Sequence, residues 1–479
     1  MENNNKSSDN RIIKHLFAFS RKVKSGLRRV KSVLIIALAV LAIYQTSQLW
    51  FVNLANRNFF LFLSARFTPS VPDGYREFVR PMRYIYGAGD GRFTIEYTGL
   101  MEIPPRIYFD NVLSELFDSG TFAGESETDF NRLLSRPVLI YEYAFPMPGD
   151  VFPLGFNQRT GAFLTTRGIT EFTSVVIWPP YAGNTRLSVF FINGDRTWEF
   201  GMDSATGAGF KFTIHPASTM GLHFVSAALE GYEHLPHDTF IARTGQLGNF
   251  PADLIVVTNP YLTHIGPSMH FIRNQVVHFF DNPATINSRV GGDGIWTFNN
   301  IHTTVRYFYT HVLEYNSFRP RRQNVTTSLM DDFSAALAFI EEDRHVINEI
   351  FLTGFEPRGA GYVFWFGYIV NNFPILMPYG WAVSSPTDIL PAPIEVVVEQ
   401  GRVVFYRRLA HNFHSDGHVW LDFNLDAFLE RQPDGVINDL ALGYLMRPHG
   451  NLRLDWWASI SEHEEPEGYD AADGEESDA

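Results

Sequence analysis

The chain has 479 residues, no cysteine, 43 Phe and 20 Tyr, and a formal net charge of −14. The lack of cysteine excludes disulfides, thiolate metal sites and thiol nucleophiles. Residues 1–32 carry +7, which leaves −21 on the remaining 447, and this acidic bulk argues against nucleic acid as a partner. The many aromatic and β-branched residues predict a strand-rich protein of mixed class.

The N-terminal segment, residues 1–32, is predicted to be a basic cytoplasmic segment. Residues 11–31 place apolar side chains at helical spacing among lysines and arginines, which indicates an amphipathic helix. Such a helix is expected to bind anionic lipid at the inner membrane surface. The alternative is a disordered basic tail that serves only to set the topology.

The stretch Val33–Val52 is predicted to be a transmembrane helix. Its twenty residues carry no formal charge and span about 30 Å as a helix, the thickness of the hydrocarbon core. The basic residues before it place the N-terminus in the cytoplasm and the bulk of this single-pass cell-membrane protein outside. A cleaved secretory signal is the alternative, but no A-x-A-like site follows, and Trp50 with Phe51 is typical of an interfacial anchor.

Two faces of this helix are candidates for contact with a partner helix. Ala39, Ala42 and Thr46 share one face, and small residues let helix backbones approach closely. Gln48 lies on another face, where a polar side chain can bond across helices. Ordinary lipid-facing and interfacial roles are the alternative for all four residues.

The patterns predict an α/β chain of the α+β type, in which a single transmembrane helix precedes a multi-domain extracytoplasmic region. Mixed, mostly antiparallel sheets with flanking helices are expected there. An acidic, disordered tail is expected to end the chain, since Glu462–Ala479 holds nine acidic residues. The predicted segments after the helix are a juxtamembrane linker at 53–78, three extracytoplasmic domains at 79–230, 231–325 and 326–457, and the tail at 458–479.

Several local elements are predicted with definite ends. Ser328 and Asp331 have the spacing of a capping box, so a helix is expected from Ser328 to Glu342. Its buried stripe is expected to contain Leu329, Phe333, Ala336, Leu337 and Ile340. Hairpin turns are expected at Asn193–Gly194, Asn371–Asn372 and Gln400–Gly401.

The sequence contains no signature of the common enzyme classes. The predicted extracytoplasmic region contains one lysine, Lys211, and it follows Phe210 and not a glycine, which excludes a Walker phosphate loop there. The motifs S-x-x-K, G-x-S-x-G and H-E-x-x-H do not occur in the sequence. His411, His414 and His418, with Asp416 nearby, are the best metal candidates. Their spacing suits a helix, whereas the run contains Ser-Asp-Gly and leads into an alternating strand, so structural roles are favoured. No catalytic residue, metal or cofactor is therefore predicted, and the protein is expected not to be an enzyme.

Other histidines are also expected to have structural roles. His234 and His237 flank a proline in a predicted loop, and three more lie among apolar residues, namely His223, His270 and His278.

Three stretches of the chain resemble the YycH family, extracytoplasmic regulators of the WalK-WalR cell-wall two-component system of Gram-positive bacteria. One is the end of the anchor, YQTSQLWF. The most specific runs from His278 to Tyr315 and contains HFFDNPATINSR, GDGIWTFNN and VRYFYTHVLEY. The third, from Gly361 to Arg408, contains GYVFWFGYIVNNFPIL and IEVVVEQGRVVFYRR.

The resemblance implies a three-domain exterior with mixed sheets, whose later domains share the architecture of the partner protein YycI. It implies no catalytic residue. It also implies that the membrane helix contacts the sensor kinase WalK, which places the expected contact on Ala39, Ala42, Thr46 and Gln48. The long basic extension and the acidic tail depart from the usual outline of the family.

The leading hypothesis is a regulator that acts through its membrane helix and through protein–protein contacts. Its expected partners are the sensor histidine kinase WalK, a YycI-like membrane protein and anionic lipid. The alternative is an envelope-ligand binding module or a cell-wall hydrolase, for which the helix is only a passive tether.

Overall fold

The computed structural model describes residues 73–461 with gaps at 98–103, 157, 159–160, 181–185, 204–222, 229–231, 233–234, 237–238, 244–248, 265, 321–325, 378–379, 386, 423–424, 433–435 and 447–451. The chain divides into two units, Met1–Pro69 and Ser70–Ala479, and every element below belongs to the second. No helix in the described ranges combines the length and the apolarity needed to cross a bilayer. The predicted anchor Val33–Val52 and residues 462–479 of the predicted tail lie outside them. The prediction that the disordered tail begins at residue 458 is wrong, because residues 458–461 pair as the end of the β-strand Leu452–Ser461.

The described ranges contain seven α-helices and three short 3-10 helices. The α-helices are α1 Asp73–Phe78, α2 Pro104–Ser119, α3 Phe130–Leu134, α4 Ala162–Thr165, α5 Met269–Val276, α6 Leu329–Glu342 and α7 Leu425–Leu429. The 3-10 helices are Phe152–Phe156, Val277–Phe279 and Pro283–Thr285.

The first part of the unit is built on one nine-stranded sheet. Its strands are β1 Arg83–Ala88, β2 Phe93–Tyr97, β3 Thr121–Glu125, β4 Pro137–Pro148, β5 Glu171–Trp178, β6 Arg186–Asn193, β7 Arg196–Asp203, β8 His223–Ser226 and β9 Phe240–Arg243. Their spatial order is β3-β7-β6-β5-β4-β1-β2-β8-β9. Each neighbouring pair is antiparallel, including β1-β4, β2-β8 and β3-β7, whose strands are not consecutive in the chain.

The later part of the unit holds an eleven-stranded sheet and three two-stranded ribbons. The strands are β10 Asn249–Thr258, β11 Leu262–Thr263, β12 Gly266–Pro267, β13 Asn287–Val290, β14 Trp296–Asn299, β15 Thr303–Tyr307, β16 Val312–Ser317, β17 Glu349–Arg358, β18 Gly361–Val370, β19 Phe373–Leu376, β20 Trp381–Ala382, β21 Ile389–Leu390, β22 Ile394–Glu399, β23 Arg402–Leu409, β24 Asn412–Asp422, β25 Val436–Met446 and β26 Leu452–Ser461. The sheet order is β13-β14-β15-β16-β23-β22-β18-β19-β25-β26, with β17 paired to β18. The ribbons are β10-β24, β11-β12 and β20-β21.

These pairings confirm the predicted α+β class with mixed, mostly antiparallel sheets. Among the described strands β19 and β25 form the single parallel pair. The eleven-stranded sheet contains strands from both of the predicted domains, 231–325 and 326–457. The domain boundaries themselves remain a prediction.

Helix α6 confirms the prediction made from its capping box. The Ser328 hydroxyl accepts from the Asp331 amide, and the Asp331 carboxylate accepts from the Ser328 amide, which satisfies two otherwise unpaired donors. In the predicted stripe Phe333, Ala336 and Ile340 are buried, and Leu329 and Leu337 are half-buried against the same core.

The predicted hairpin turns are also present. Asn371 and Asn372 have φ values of 48° and 65°, and Gln400 has φ of 54°, the left-handed region that two-residue hairpin turns require. At the first hairpin Asn193 itself pairs with Arg196, so the turn lies one residue later than predicted.

An aromatic cluster joins the two large sheets. Phe78, the last residue of α1, is fully buried, and its ring centroid lies 5.9 Å from that of Phe145 on β4 and 5.4 Å from that of Phe355 on β17. Phe333 of α6 packs edge-on against the same ring at 5.0 Å. Because the core of residues 70–479 is continuous, this unit is expected to fold without the first 69 residues.

Candidate functional site

The predicted contact residues of the membrane helix, Ala39, Ala42, Thr46 and Gln48, lie outside the described residues. Their role therefore stays a prediction. The described unit offers a different candidate, a cavity bordered by a pair of histidines.

The three histidines singled out as metal candidates do not converge. His411 is buried and directly precedes β24, whereas His414 and His418 are exposed on the β10-β24 ribbon. The Nε2 of His414 lies 3.1 Å from the Thr258 hydroxyl, and the Nδ1 of His418 lies 2.6 Å from the Asp253 carboxylate. Within the described ranges no three His, Cys, Asp or Glu side chains come close enough to hold a metal ion.

The other histidines noted in the sequence are dispersed. His278 packs against Phe279, and its Nε2 lies 3.8 Å from the Asp343 carboxylate. His270 is exposed beside Asn274, and His223 begins β8. His234 and His237 lie outside the described residues.

His411 instead meets His311, a residue that the sequence analysis did not single out. Pairing of Val312 with Leu409 brings the ends of β16 and β23 together, and the Ala410 amide donates to the His311 carbonyl at 2.8 Å. The Nδ1 of His311 then lies 3.0 Å from the Nε2 of His411, so one ring donates a hydrogen bond to the other.

The pair borders a cavity of about 890 Å³. Its walls come from the end of β10, the β11-β12 ribbon, the turn before β16 and strand β20. The apolar and aromatic lining residues are Val257, Leu262, Tyr309, Trp381 and Ala382. This volume lies within the range of about 300–1,000 Å³ that is typical of small-molecule sites.

Behind His411 lies a fully buried ion pair. The Nε of Arg408 on β23 lies 3.0 Å from the carboxylate of Asp343, the C-cap of α6, and neither side chain is exposed. The Tyr406 hydroxyl donates to the same carboxylate at 2.9 Å. Burial disfavours the charged guanidinium, but the Asp343 charge together with Tyr261, Tyr368 and Tyr406 outweighs burial and raises the pKa of Arg408 well above its ordinary value. The pair thus fixes the end of β23 against α6.

Burial also decides the charge of the histidine pair. Burial, with smaller contributions from His311 and the Arg408 cation, lowers the pKa of His411 from 6.5 to about 3. Burial likewise lowers the pKa of His311. Both imidazoles are therefore neutral at pH 7.

Lowering the pH from 7 to 5 should decrease the free energy of unfolding of the 70–479 unit by about 2 kcal/mol, because of His411. Between pH 6.5 and about pH 3 the unfolded chain binds a proton at this imidazole and the folded chain does not, so stability falls as the pH falls. Urea denaturation at the two pH values measures the loss.

The His411→Gln variant should lack this part of the pH dependence. His270→Gln is the matched control, because His270 is exposed, and it should keep the full dependence. An unchanged pH dependence in His411→Gln would show that this imidazole does not stay neutral in the fold.

The architecture defines a strand-rich α+β protein in which a cavity and a buried ion pair lie near the paired ends of β16 and β23. The solved structure of YycH from Bacillus subtilis is similar to this chain, with a TM-score of 0.50 and 11% sequence identity over 81% of this chain and 95% of that one. The resemblance to YycH inferred from the sequence is thereby confirmed at the level of the fold.

A second solved structure has a lesser likeness. It is an uncharacterized protein from Eubacterium rectale ATCC 33656, with a TM-score of 0.28 and 10% identity over 46% of this chain and 80% of that one. No family model and no curated protein matches this chain.

Proposed function

We propose that this chain is a membrane-anchored, extracytoplasmic regulator of a cell-wall sensor histidine kinase of the WalK type in a Gram-positive bacterium. The observation that carries the proposal is the YycH-like fold over 81% of the chain, together with the predicted anchor before it. The protein acts by binding and not as an enzyme. Its bulk lies outside the cell membrane and its N-terminus in the cytoplasm.

The proposed mechanism is a shift of the kinase between signalling states. The helix Val33–Val52 docks beside the membrane helices of the kinase, and the exterior pairs with a YycI-like partner. The basic segment before the helix binds anionic lipid. A regulator shifts such an equilibrium only through its different affinities for the two states, with a coupling of typically about 1–3 kcal/mol.

Replacing Ala39 and Ala42 together with leucine should weaken association with the kinase several-fold. The two small residues share a helix face, and larger side chains there hold the partner helix away. Bacterial two-hybrid analysis of full-length, membrane-inserted chains measures the association.

Ala37→Leu is the matched control, because it makes the same substitution on roughly the opposite face of the helix. It should leave the signal unchanged. Equal signals from the double variant and the unaltered chain, at equal membrane levels, would show that the small face is not the contact.

A further inference from the structure

We infer that the cavity beside His311 and His411 is a binding site for an uncharged small molecule with an aromatic or otherwise apolar body. The inference goes beyond kinase regulation and does not depend on it. Four features of the cavity carry it: its aromatic walls, the absence of Asp, Glu, Lys and Arg from its described lining, the small number of its unused hydrogen-bonding groups, and the strained residue that positions the histidine pair.

Two aromatic side chains supply the walls. Tyr309 is 66% exposed although its ring lines the cavity, so its apolar surface is left open to a ligand. The Trp381 indole donates to the Thr310 carbonyl at 2.7 Å, which fixes its ring in the wall before any ligand arrives. A preset aromatic surface such as that of Trp381 favours binding because little side-chain freedom is lost.

The described lining disfavours a charged ligand. No Asp, Glu, Lys or Arg is among the described residues that line the cavity. His311 and His411 are neutral at pH 7, for the reasons given above, and the third histidine of the lining, His264, is exposed to solvent at its rim. A charged group placed there would lose its hydration without gaining a counter-charge, which is costly.

Most polar side chains in the lining are already used. The Asn259 amide donates to the Tyr307 hydroxyl at 2.9 Å and its carbonyl accepts from the Tyr261 amide. The hydroxyls of Thr263 and Thr310 donate to backbone carbonyls at 2.7 and 2.8 Å. These groups therefore add little recognition of a ligand.

The two imidazoles bond to each other, since the Nδ1 of His311 and the Nε2 of His411 are 3.0 Å apart. The Nδ1 of His411 has no hydrogen-bond partner among the described residues, but it is buried and therefore does not face the open cavity. The site thus suits a largely apolar molecule.

His311 is held in a strained conformation. Its φ is +64°, a left-handed value that is uncommon for a residue other than glycine. This residue closes the turn between β15 and β16, in which the His311 amide donates to the Phe308 carbonyl at 3.0 Å. Here it sets the imidazole of His311 against His411 at the cavity wall.

Two dyes with the same aromatic skeleton test the proposal on the 70–479 unit. N-phenyl-1-naphthylamine is uncharged, and 8-anilino-1-naphthalenesulfonate adds one negative charge. Fluorescence titration should show saturable one-to-one binding of the uncharged dye, at least tenfold tighter than that of the charged dye. Equal affinities, or binding that does not saturate, would overturn the proposal.

A pair of surface variants locates the site. Tyr309→Ala should weaken binding of the uncharged dye at least fivefold. Phe318→Ala should change it less than twofold, because Phe318 is 64% exposed but does not line the cavity. Both side chains are exposed, so an unchanged urea midpoint is expected and checks the fold of each variant. Unchanged binding by Tyr309→Ala, or equal weakening by both variants, would place the dye elsewhere and overturn the proposal.

Discussion

Replacing Asp343 with alanine should lower the free energy of unfolding of the 70–479 unit by about 3–5 kcal/mol, measured by urea denaturation at pH 7. The substitution leaves the Arg408 guanidinium fully buried without the carboxylate that lies 3.0 Å away in the native protein. It also removes the acceptor of the Tyr406 hydroxyl and of the His345 amide. Breaking a buried pair is this costly because the remaining charge has neither water nor a partner.

Two further variants separate the lost charge pair from other effects. Adding Arg408→Met to Asp343→Ala should recover part of the loss, because the unpaired cation is then gone. Glu125→Ala removes a carboxylate that pairs with Arg196 on the surface, and it should leave the urea midpoint nearly unchanged. Equal losses for Asp343→Ala and Glu125→Ala would contradict the role assigned to the buried pair.

The elements that were predicted correctly from the sequence are specified by residues close together in the chain. The capping box of α6 and the turn at Asn371–Asn372 each lie within a few residues, so the physics that forms them can be read from a short window. The resemblance to YycH was inferred from three stretches, and the comparison confirms it for the fold, although overall identity to that structure is 11%.

The cavity and the buried pair could not be predicted in this way. His311 and His411 are 100 residues apart in sequence, and only the pairing of β16 with β23 brings them together. Asp343 and Arg408 also come from separate elements, a helix end and a strand. Contacts of this kind depend on tertiary register, which no single segment specifies.

Weak signals for the ion pair were nevertheless present. Asp343 caps the C-terminus of α6, where the helix dipole disfavours a negative charge, so a compensating cation could be sought. Arg408 lies two residues after Tyr406 and therefore shares its buried face of β23. Because arginine is rarely buried unpaired, a partner carboxylate could be expected. For His311 the sequence contained no comparable signal.

Replacing Val33–Val52 with an unrelated single-span helix of equal length and orientation should remove control of the kinase. The proposed contact resides in the side chains of this helix, so an anchor that only tethers the exterior lacks it. A coupling of about 1–3 kcal/mol corresponds to a change of about 5–150-fold, and this effect should be lost.

The output of the kinase's own response regulator, read from a target promoter, measures this loss directly. The cells lack the native gene and carry either the unaltered chain or the helix-replaced chain at equal membrane levels. The account predicts that the unaltered chain restores normal output and that the helix-replaced chain behaves like the deletion. Full restoration by the helix-replaced chain would contradict the account, because the helix would then be a passive tether.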